Sequence, residues 1–325
     1  MLVGLDVGGT KILGVALGEN REVIALQRRD TPAQAGDADA LVATMAEVVE
    51  SLRDDIGRTA SRSPAVGVGL PGLVDRSGRL QFAPNLAGLR DADLGPRLGA
   101  ATGAAAVRVD NDATCAMRAE YALGAAVGAD HVILVTLGTG IGGGLVLDGR
   151  VMRGAWGFAG EVGHMVIDAD GIDCVCGRRG CWEQYASGNA LGRMGRETAE
   201  QGLGASWVAL AGGSITDVRG EHVTAAATGG DPAARALVER FADWFAIGLA
   251  NLVDILDVER CVLGGGLVAA GDTLLEPIRS SFAIRLLAAS HRPEVAIVPA
   301  QLGDRAGAIG AALLAAEASP STPGL

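Results

Sequence analysis

The pattern of hydrophobic and polar positions predicts a strand, a glycine turn and a second strand at the start of the chain. Residues 2–7 are almost entirely apolar, Gly8-Gly9-Thr10 is typical of a turn, and residues 12–17 are again apolar. The same order returns in residues 131–147, with Gly138-Thr139-Gly140 as the turn. The chain therefore contains two copies of one supersecondary unit.

The two copies also match in register. Aligning Gly8 with Gly138 pairs Gly14 with Gly144, and Asp148-Gly149 after the second copy is typical of a hairpin turn. This duplication indicates an α/β protein of two similar lobes that face each other across a cleft.

The remaining pattern alternates between helices and strands. Helical periodicity covers residues 37–56, about 112–123, 188–201, 231–256 and 304–317, and apolar runs predict strands at 65–70, 106–109 and 260–263. Residues 202–222 carry little pattern. We predict a small lobe from residues 1–112, with the C-terminal helix 304–317 packed back on it, a large lobe from 113–303, and a flexible tail at 318–325.

Length and charge narrow the class of partner. The chain has 325 residues, more than one core usually serves, and a formal net charge of -11. Because nucleic acids and anionic membranes attract basic faces, we expect neither as a partner. The pattern contains no secretory segment and no apolar run of membrane-spanning length, and unpaired thiols fit a reducing compartment, so we predict a cytoplasmic protein.

A cluster of cysteines is the clearest candidate for a metal site. Cys174, Cys176 and Cys181 follow His164 closely in the sequence. The odd total of five cysteines and the Cys-x-Cys spacing both argue against disulfides. One imidazole and three thiolates fill a tetrahedral Zn²⁺ shell, and a shell closed by protein ligands is normally structural. We predict a structural zinc on these four residues.

The two remaining cysteines and the polar residues around the cluster have different expected roles. Cys115 and Cys261 lie in apolar segments and are expected to be small core residues. Three polar groups lie at the edges of the stretch that carries the predicted zinc ligands: Glu161, Glu183 and the second ring nitrogen of His164. We expect them to face a ligand.

The glycine turns are candidates for phosphate binding, because their backbone amides can point at phosphate oxygens. Lys11, the single lysine of the chain, follows the first turn, and Asp6 before it could hold Mg²⁺ through water or simply bond turn amides. Gly264-Gly265-Gly266 after a strand leaves room for a ribose or a flat ring, or makes a close strand-to-helix turn. Neither the Walker nor the Rossmann glycine pattern is present.

Asp112 is the candidate general base. It follows a predicted strand and begins a predicted helix, where a carboxylate commonly caps the helix. If capping were the only need, Asn111 or Thr114 could share it, and the run Asp110-Asn111-Asp112 instead gathers polar groups at the expected edge of the cleft. A base at this position would take a proton from a hydroxyl that attacks a γ-phosphoryl group.

Together these motifs resemble the ROK sugar kinases, and among them the bacterial ATP-dependent glucokinases. The resemblance covers nearly the whole chain and includes a specific cysteine signature. It is carried by Leu5-Asp-Val-Gly-Gly-Thr-Lys11, Pro71-Gly72, Pro84-Asn85-Leu86, Asn111-Asp112-Ala113, Leu137-Gly-Thr-Gly-Ile-Gly-Gly143, Gly160-Glu-Val-Gly-His164, Gly171-x-x-Cys-x-Cys-Gly-x-x-Gly-Cys-x-Glu183 and Gly264-Gly-Gly266.

The resemblance implies an actin-like, ribonuclease-H-like ATPase fold, phosphorylation of glucose at its 6-hydroxyl, and assembly into a dimer or tetramer. It implies that Asp112 is the base, and that zinc is bound by His164, Cys174, Cys176 and Cys181. It implies the following sugar contacts: Gly72, Asn85, Asn111, Asp112, Glu161, His164 and Glu183. ATP, with Mg²⁺ near Asp6, would be held by Gly8, Gly9, Thr10, Lys11, Gly138, Thr139, Gly140, Gly265 and Gly266.

Two other classes of function remain open. A related kinase could act on fructose, mannose or an N-acetylhexosamine, and polyphosphate could replace ATP as the donor. A repressor or a non-catalytic sugar-sensing module could share the sugar site, but a repressor of this kind requires an added DNA-binding domain. Because the first predicted strand begins at residue 2 and the chain is acidic, we expect no such domain here.

Overall fold

The computed structural model describes residues 2–32, 37–57, 63–83, 86 and 89–317. These residues form two compact units. Unit 1 comprises Met1–Gly124, Val151–Ala159 and Arg305–Leu325, and unit 2 comprises Ala125–Arg150 and Gly160–Asp304.

Unit 1 is built on a five-stranded sheet with helices packed against it. Its strands and helices up to residue 124 are β1 (Leu2–Val7), β2 (Lys11–Leu17), β3 (Val23–Asp30), α1 (Ala38–Asp55), β4 (Ala65–Leu70), β5 (Leu73–Val74), β6 (Leu80–Phe82), β7 (Arg90–Ala92), α2 (Leu94–Thr102), β8 (Ala106–Asn111) and α3 (Asp112–Leu123). The main sheet has the order β3-β2-β1-β4-β8, and β5, β6 and β7 form a small separate sheet.

Unit 2 contains a second five-stranded sheet and a helical layer. Its elements are β9 (Val132–Leu137), β10 (Ile141–Leu147), β11 (Arg150–Val151), α4 (Glu183–Ala186), α5 (Gly188–Glu200), α6 (Ala205–Leu210), α7 (Gly220–Thr228), α8 (Pro232–Leu256), β12 (Arg260–Gly264), α9 (Asp272–Arg285) and β13 (Ala296–Pro299). The sheet has the order β11-β10-β9-β12-β13. The long helix α8 begins with Asp231 as its N-cap and Pro232 in its first turn, which favours a helix start.

The two sheets repeat one plan. In unit 1 the antiparallel hairpin of β1 and β2 is extended by β4 and then β8, each parallel to the strand before it. In unit 2 the hairpin of β9 and β10 is extended in the same way by β12 and β13. Each glycine turn predicted from the sequence joins the two strands of a hairpin. The predicted duplication is therefore a duplication of whole sheets.

The C-terminal helix α10 (Ala306–Ala315) packs on the sheet of unit 1, and every residue in it is buried. The backbone of α10 lies directly against the backbone of the sheet. A Cβ added to Gly67 of β4 would lie only 1.7 Å from the carbonyl oxygen of Ala311. On another side, a Cβ on Gly310 would lie 1.7 Å from the carbonyl oxygen of Cys115 in α3. The small residues of α10 are what allow it to lie between the sheet and α3.

The units divide the chain differently from the predicted boundary after residue 112. Helix α3 lies in unit 1, because its backbone packs directly against α10. Val151–Ala159 also belongs to unit 1, although the residues on both sides of it belong to unit 2. The predicted tail at 318–325 lies outside the described residues. Among the residues that are described, no helix combines the length and apolarity needed to cross a bilayer.

Candidate functional site

The first glycine turn is a tight hairpin held by its own backbone. The Gly8 amide donates to the Lys11 carbonyl at 2.8 Å, and the Thr31 hydroxyl donates to the Gly8 carbonyl at 2.7 Å. Gly9 and Thr10 at the tip of the turn are exposed. The turn therefore keeps a fixed shape while its tip remains accessible.

Asp6 lies at the end of β1, before this turn, and its carboxylate faces the start of α10. A Cβ added to Gly307 would come within 2.6 Å of the Asp6 carboxylate. The N-terminal end of a helix favours negative charge, so α10 stabilises the carboxylate whether or not a cation is near it. This position at the start of α10 gives Asp6 a structural role different from the bonding of turn amides that the sequence suggested.

Asn111, not Asp112, caps helix α3. The Asn111 side-chain oxygen accepts from the Thr114 amide at 3.0 Å, and its side-chain nitrogen donates to the Gly72 carbonyl at 3.1 Å. Asp112 accepts from the adjacent Ala113 amide at 2.8 Å and is partly exposed. Because another residue makes the capping bond, the helix does not require the Asp112 carboxylate for that purpose.

The sugar-contact residues predicted for unit 1 lie together, as far as they are described. Asn111 joins Gly72 directly, and Asp112 follows Asn111 at the start of α3. The remaining one, Asn85, lies outside the described residues.

The second glycine turn and the Gly264-Gly265-Gly266 segment meet in unit 2. A Cβ added to Gly265 would lie 2.3 Å from the Leu137 carbonyl, and the φ of Gly265 is +91°, so only glycine fits this approach. The Gly138 carbonyl accepts from the Gly188 amide of α5 at 2.8 Å, and Gly138 and Thr139 are exposed. The ATP-contact residues predicted for unit 2 thus form one continuous backbone surface.

Four side chains in unit 2 converge as a metal site would require. The ligand atoms of His164, Cys174, Cys176 and Cys181 all lie within 4.8 Å of one another. The Cys174 Sγ atom is 3.7 Å from His164 Nδ1, and the Cys176 Sγ atom is 3.5 Å from Cys181 Sγ. With bonds of about 2.3 Å to sulfur and about 2.0 Å to nitrogen, tetrahedral zinc separates its ligand atoms by about 3.5 to 3.8 Å. The donor set and its spacing both fit zinc.

The thiols of this cluster differ in acidity. Burial raises the pKa of Cys176, but hydrogen bonds with the Arg178 backbone and side chain, and then with Cys174 and Cys181, together lower that pKa to about 6. Burial raises the pKa of Cys174, and it raises the pKa of Cys181 to about 12. Thiolates are the form that binds metal, so a cation would offset the cost of ionising the two buried thiols.

Two carboxylates lie at the edge of the cluster. Glu183 Oε1 is 3.4 Å from His164 Nδ1 and 3.3 Å from Cys174 Sγ, while Glu183 Oε2 would lie 2.6 Å from a Cβ added to Gly140. Burial raises the pKa of Glu161, the His164 ring lowers it, and Glu183 raises it. Glu183 therefore lies beside His164 and adjoins the second glycine turn, and Glu161 interacts electrostatically with both Glu183 and His164.

The loop that carries Cys174, Cys176 and Cys181 is anchored in the core of unit 2. Trp182 is fully buried, its indole nitrogen donates to the Trp244 carbonyl at 3.1 Å, and its ring lies 5.0 Å from that of Phe245. The Tyr185 hydroxyl donates to Asp168 at 2.9 Å and accepts from the Ile172 amide at 2.9 Å. Glu183 lies between Trp182 and Tyr185 in the sequence, so these contacts hold its backbone in place.

Sequence reasoning missed a buried ion network next to Asp112. Asp110 has no exposed surface, and its carboxylate accepts from Arg153 Nε at 3.0 Å and lies 3.5 Å from Arg118 Nη2. Arg153 lies in a stretch with no distinctive pattern, so only the tertiary structure could reveal the pair.

Comparison with known proteins decides the family, since residues 2–318 match the sequence profile of the ROK family. The chain belongs to the ROK family. It is 38% identical over 323 residues to a glucokinase from Streptomyces coelicolor, covering 98% of this chain and 99% of that protein. It is 33% identical over 324 residues to an N-acetyl-D-glucosamine kinase from Photobacterium profundum, covering 97% of this chain and 99% of that protein.

A solved structure gives the same family. The chain resembles a ROK family glucokinase from Streptomyces griseus in complex with glucose and AMPPNP, with a TM-score of 0.86 and 37% identity over 96% of this chain and 98% of that one. The resemblance inferred from the motifs is confirmed, and so is the expected actin-like α/β ATPase fold.

Metal content offers a direct test of the cysteine cluster in this ROK protein. Metal analysis of the purified protein should find about one zinc per chain, because four protein ligands complete its tetrahedral shell. Cys176→Ser should reduce the zinc content severalfold, since a hydroxyl is a much poorer zinc ligand than a thiolate. Cys261→Ala, which removes a buried thiol outside the cluster, should keep the wild-type content. Equal zinc in the two variants would contradict the assignment.

Proposed function

We propose that this ROK protein is an ATP-dependent glucokinase, which transfers the γ-phosphoryl group of ATP to the 6-hydroxyl of glucose. The observation that carries the proposal is the similarity, over at least 96% of the chain, to two proteins named as glucokinases, one of them solved with glucose and an ATP analogue. The candidate residues for each part of the reaction are all present in the sequence.

Asp112 is the proposed general base. Its carboxylate is partly exposed at the start of α3, and Asn111 takes over the capping role that would otherwise occupy it. As the hydroxyl oxygen attacks the γ-phosphorus, its proton passes to Asp112, the bond to the β,γ-bridging oxygen breaks, and ADP leaves. Positioning and charge stabilisation supply most of the remaining acceleration.

The sugar hydroxyls are proposed to bind a set of carboxylate, amide and imidazole groups. Unit 2 offers Glu161, Glu183 and the Nε2 atom of His164, while unit 1 offers Asn111, Asp112 and the backbone at Gly72, together with Asn85. Carboxylates accept hydrogen bonds from neighbouring hydroxyls in pairs, and amides can both donate and accept. This mixture suits a neutral, hydroxyl-rich ligand.

ATP is proposed to bind the two glycine turns and the Gly265-Gly266 backbone. Gly8, Gly9, Thr10 and Lys11 in one unit, and Gly138, Thr139 and Gly140 in the other, would contact its phosphates. Mg²⁺ arrives with ATP as part of the substrate, and Asp6 is proposed to hold it through water.

Zinc on His164 and the three cysteines is proposed to be structural. When bound, it would neutralise the thiolates and fix the His164 ring through Nδ1. Glu161 and Glu183 would then keep their spacing, and the Nε2 atom of His164 would be left to meet a hydroxyl.

A panel of sugars tests the substrate. ADP release with ATP should be faster for glucose than for fructose, mannose or N-acetylglucosamine, compared by kcat/KM in a coupled assay. The rival reading is an N-acetylglucosamine kinase, which the similarity to the Photobacterium profundum protein favours. If N-acetylglucosamine were turned over better than glucose, it would be the substrate, and the protein would still be a sugar kinase. Polyphosphate should be a poor donor in the same assay.

Assembly and location follow from the family as further proposals. We expect a homodimer or homotetramer that acts in the cytoplasm and binds no nucleic acid. Light scattering coupled to size-exclusion chromatography measures the assembly.

A further inference from the structure

The ion network around Asp110 lies directly beside the proposed base. Asp110 comes immediately before Asn111 and Asp112 in β8, and its Oδ1 atom accepts from the Asn111 backbone amide at 2.9 Å. The same oxygen accepts from Arg153 Nε at 3.0 Å. A fully buried carboxylate is stable only when it is paired and hydrogen-bonded, so the bond from Arg153 helps to hold this carboxylate in place.

Arg153 is also bound on its other side. Its Nη2 atom donates to the Asp75 carbonyl at 3.0 Å, and Arg76 returns two bonds, from Nε to the Gly154 carbonyl at 2.7 Å and from its amide to the Trp156 carbonyl at 3.1 Å. The segment Val151–Ala159 is thereby tied to the Asp75-Arg76 loop of unit 1.

These bonds close a ring around the sugar-contact residues proposed in unit 1. Asn111 donates to the Gly72 carbonyl, and three residues after Gly72 the Asp75 carbonyl accepts from Arg153. Arg153 then donates to Asp110, and Asp110 accepts from Asn111. Arg153 closes this ring among the described residues, because its planar guanidinium donates to Asp110 and to the Asp75 carbonyl at once.

We infer that Arg153 is a positioning residue for the reaction, which acts through Asp110 to set the place of Asn111 and Asp112. The inference rests on the proposed role of Asp112 as the base. Arg153 itself is not among the residues proposed to bind sugar or ATP. Its removal should therefore lower kcat and change the KM values for glucose and ATP little.

Three variants separate positioning from simple charge pairing. Arg153→Gln removes the charge and the two-directional donor, whereas Arg153→Lys keeps the charge but cannot reproduce the fork. Arg118→Lys is the matched control, since Arg118 also lies beside Asp110 but pairs with Glu317 rather than with Asp75. All variants are compared at a temperature at which each is folded, as shown by its melting curve.

Both Arg153 variants should lower kcat roughly tenfold to a hundredfold, the loss that a misplacement of about 1 Å causes, with KM within about threefold of wild type. Arg153→Lys should keep a melting temperature close to that of wild type, and Arg118→Lys should keep wild-type kcat. In the background of Asp110→Asn, adding Arg153→Gln should change kcat less than about threefold, because both substitutions break the same link.

Wild-type kcat in Arg153→Lys would overturn the inference. A loss of kcat in Arg118→Lys as large as that in the Arg153 variants would also overturn it, because the network would then only neutralise the charge of Asp110. The proposed function fails separately, when the unmodified protein releases no ADP with any sugar. If it prefers another sugar, the variants are compared with that sugar.

Discussion

Asp112→Asn should lower kcat for glucose phosphorylation by about 10²- to 10⁴-fold, the range that a general base contributes. Asparagine keeps the shape of the side chain, and its oxygen can still accept from the Ala113 amide at the start of α3. The substitution therefore removes the proton acceptor and keeps this hydrogen bond. The loss is measured as the rate of glucose-dependent ADP release at saturating glucose and ATP.

Asp272→Asn is the matched control for this experiment. Asp272 is likewise the first residue of a helix, α9, and it is exposed, so the control removes the same charge from the same kind of position. It should keep wild-type kcat. Near-normal turnover by a folded Asp112→Asn protein would remove Asp112 as the base.

Gly67→Ala should destabilise unit 1 by about 3 kcal/mol, at the upper end of what overpacking of a core costs. The new methyl group would lie 1.7 Å from the Ala311 carbonyl oxygen, and a backbone atom cannot move aside as a flexible side chain can. Either α10 shifts away from the sheet or the strand bends. Calorimetry should show a lower melting temperature, and hydrogen exchange should be faster in α10 and β4.

Gly99→Ala is the same chemical change at a site with room. Gly99 lies in α2, where an added Cβ would meet Val107 at 3.5 Å, an ordinary contact. Alanine also favours a helix over glycine, so this variant should be as stable as wild type or slightly more stable. If the two variants had the same stability, the tight docking of α10 would be contradicted.

Regular elements with a strong pattern were predictable from the sequence. The apolar runs of β1, β2, β9 and β10 and the glycines between them gave the duplicated hairpins with nearly correct ends. The long helix α8 was equally clear, because its apolar positions recur over many turns. Local signals were enough in these cases because each element has a continuous buried face.

Elements whose stability comes from their neighbours were missed. Strand β3 lies at the edge of its sheet and ends in Arg28, Arg29 and Asp30, so it lacks the apolar run of a central strand. Helices α6 and α7 fall in the stretch 202–222 or begin there, where the one large anchor is the buried Trp207. Their pattern depends on tertiary packing, which overrides weak local preference.

The candidate site was predictable where its residues are close in sequence. The spacing of Cys174, Cys176 and Cys181 predicted a cluster because a short, glycine-containing loop can fold its sulfurs together. Both Asn111 and Asp112 can cap a helix, so only the three-dimensional structure shows that Asn111 is the cap of α3. Arg153 could not be found from sequence, because its partner Asp110 is far from it along the chain.

The docking of α10 also bears on how the protein is made. A ribosome releases every strand of the unit 1 sheet long before residues 306–315 emerge, and until then the face that receives α10 is uncovered. Unit 2 ends at Asp304, so its core can close first. The unit that carries Asp112 is completed last, and a chain terminated before α10 would leave unit 1 unfinished although unit 2 could already be folded.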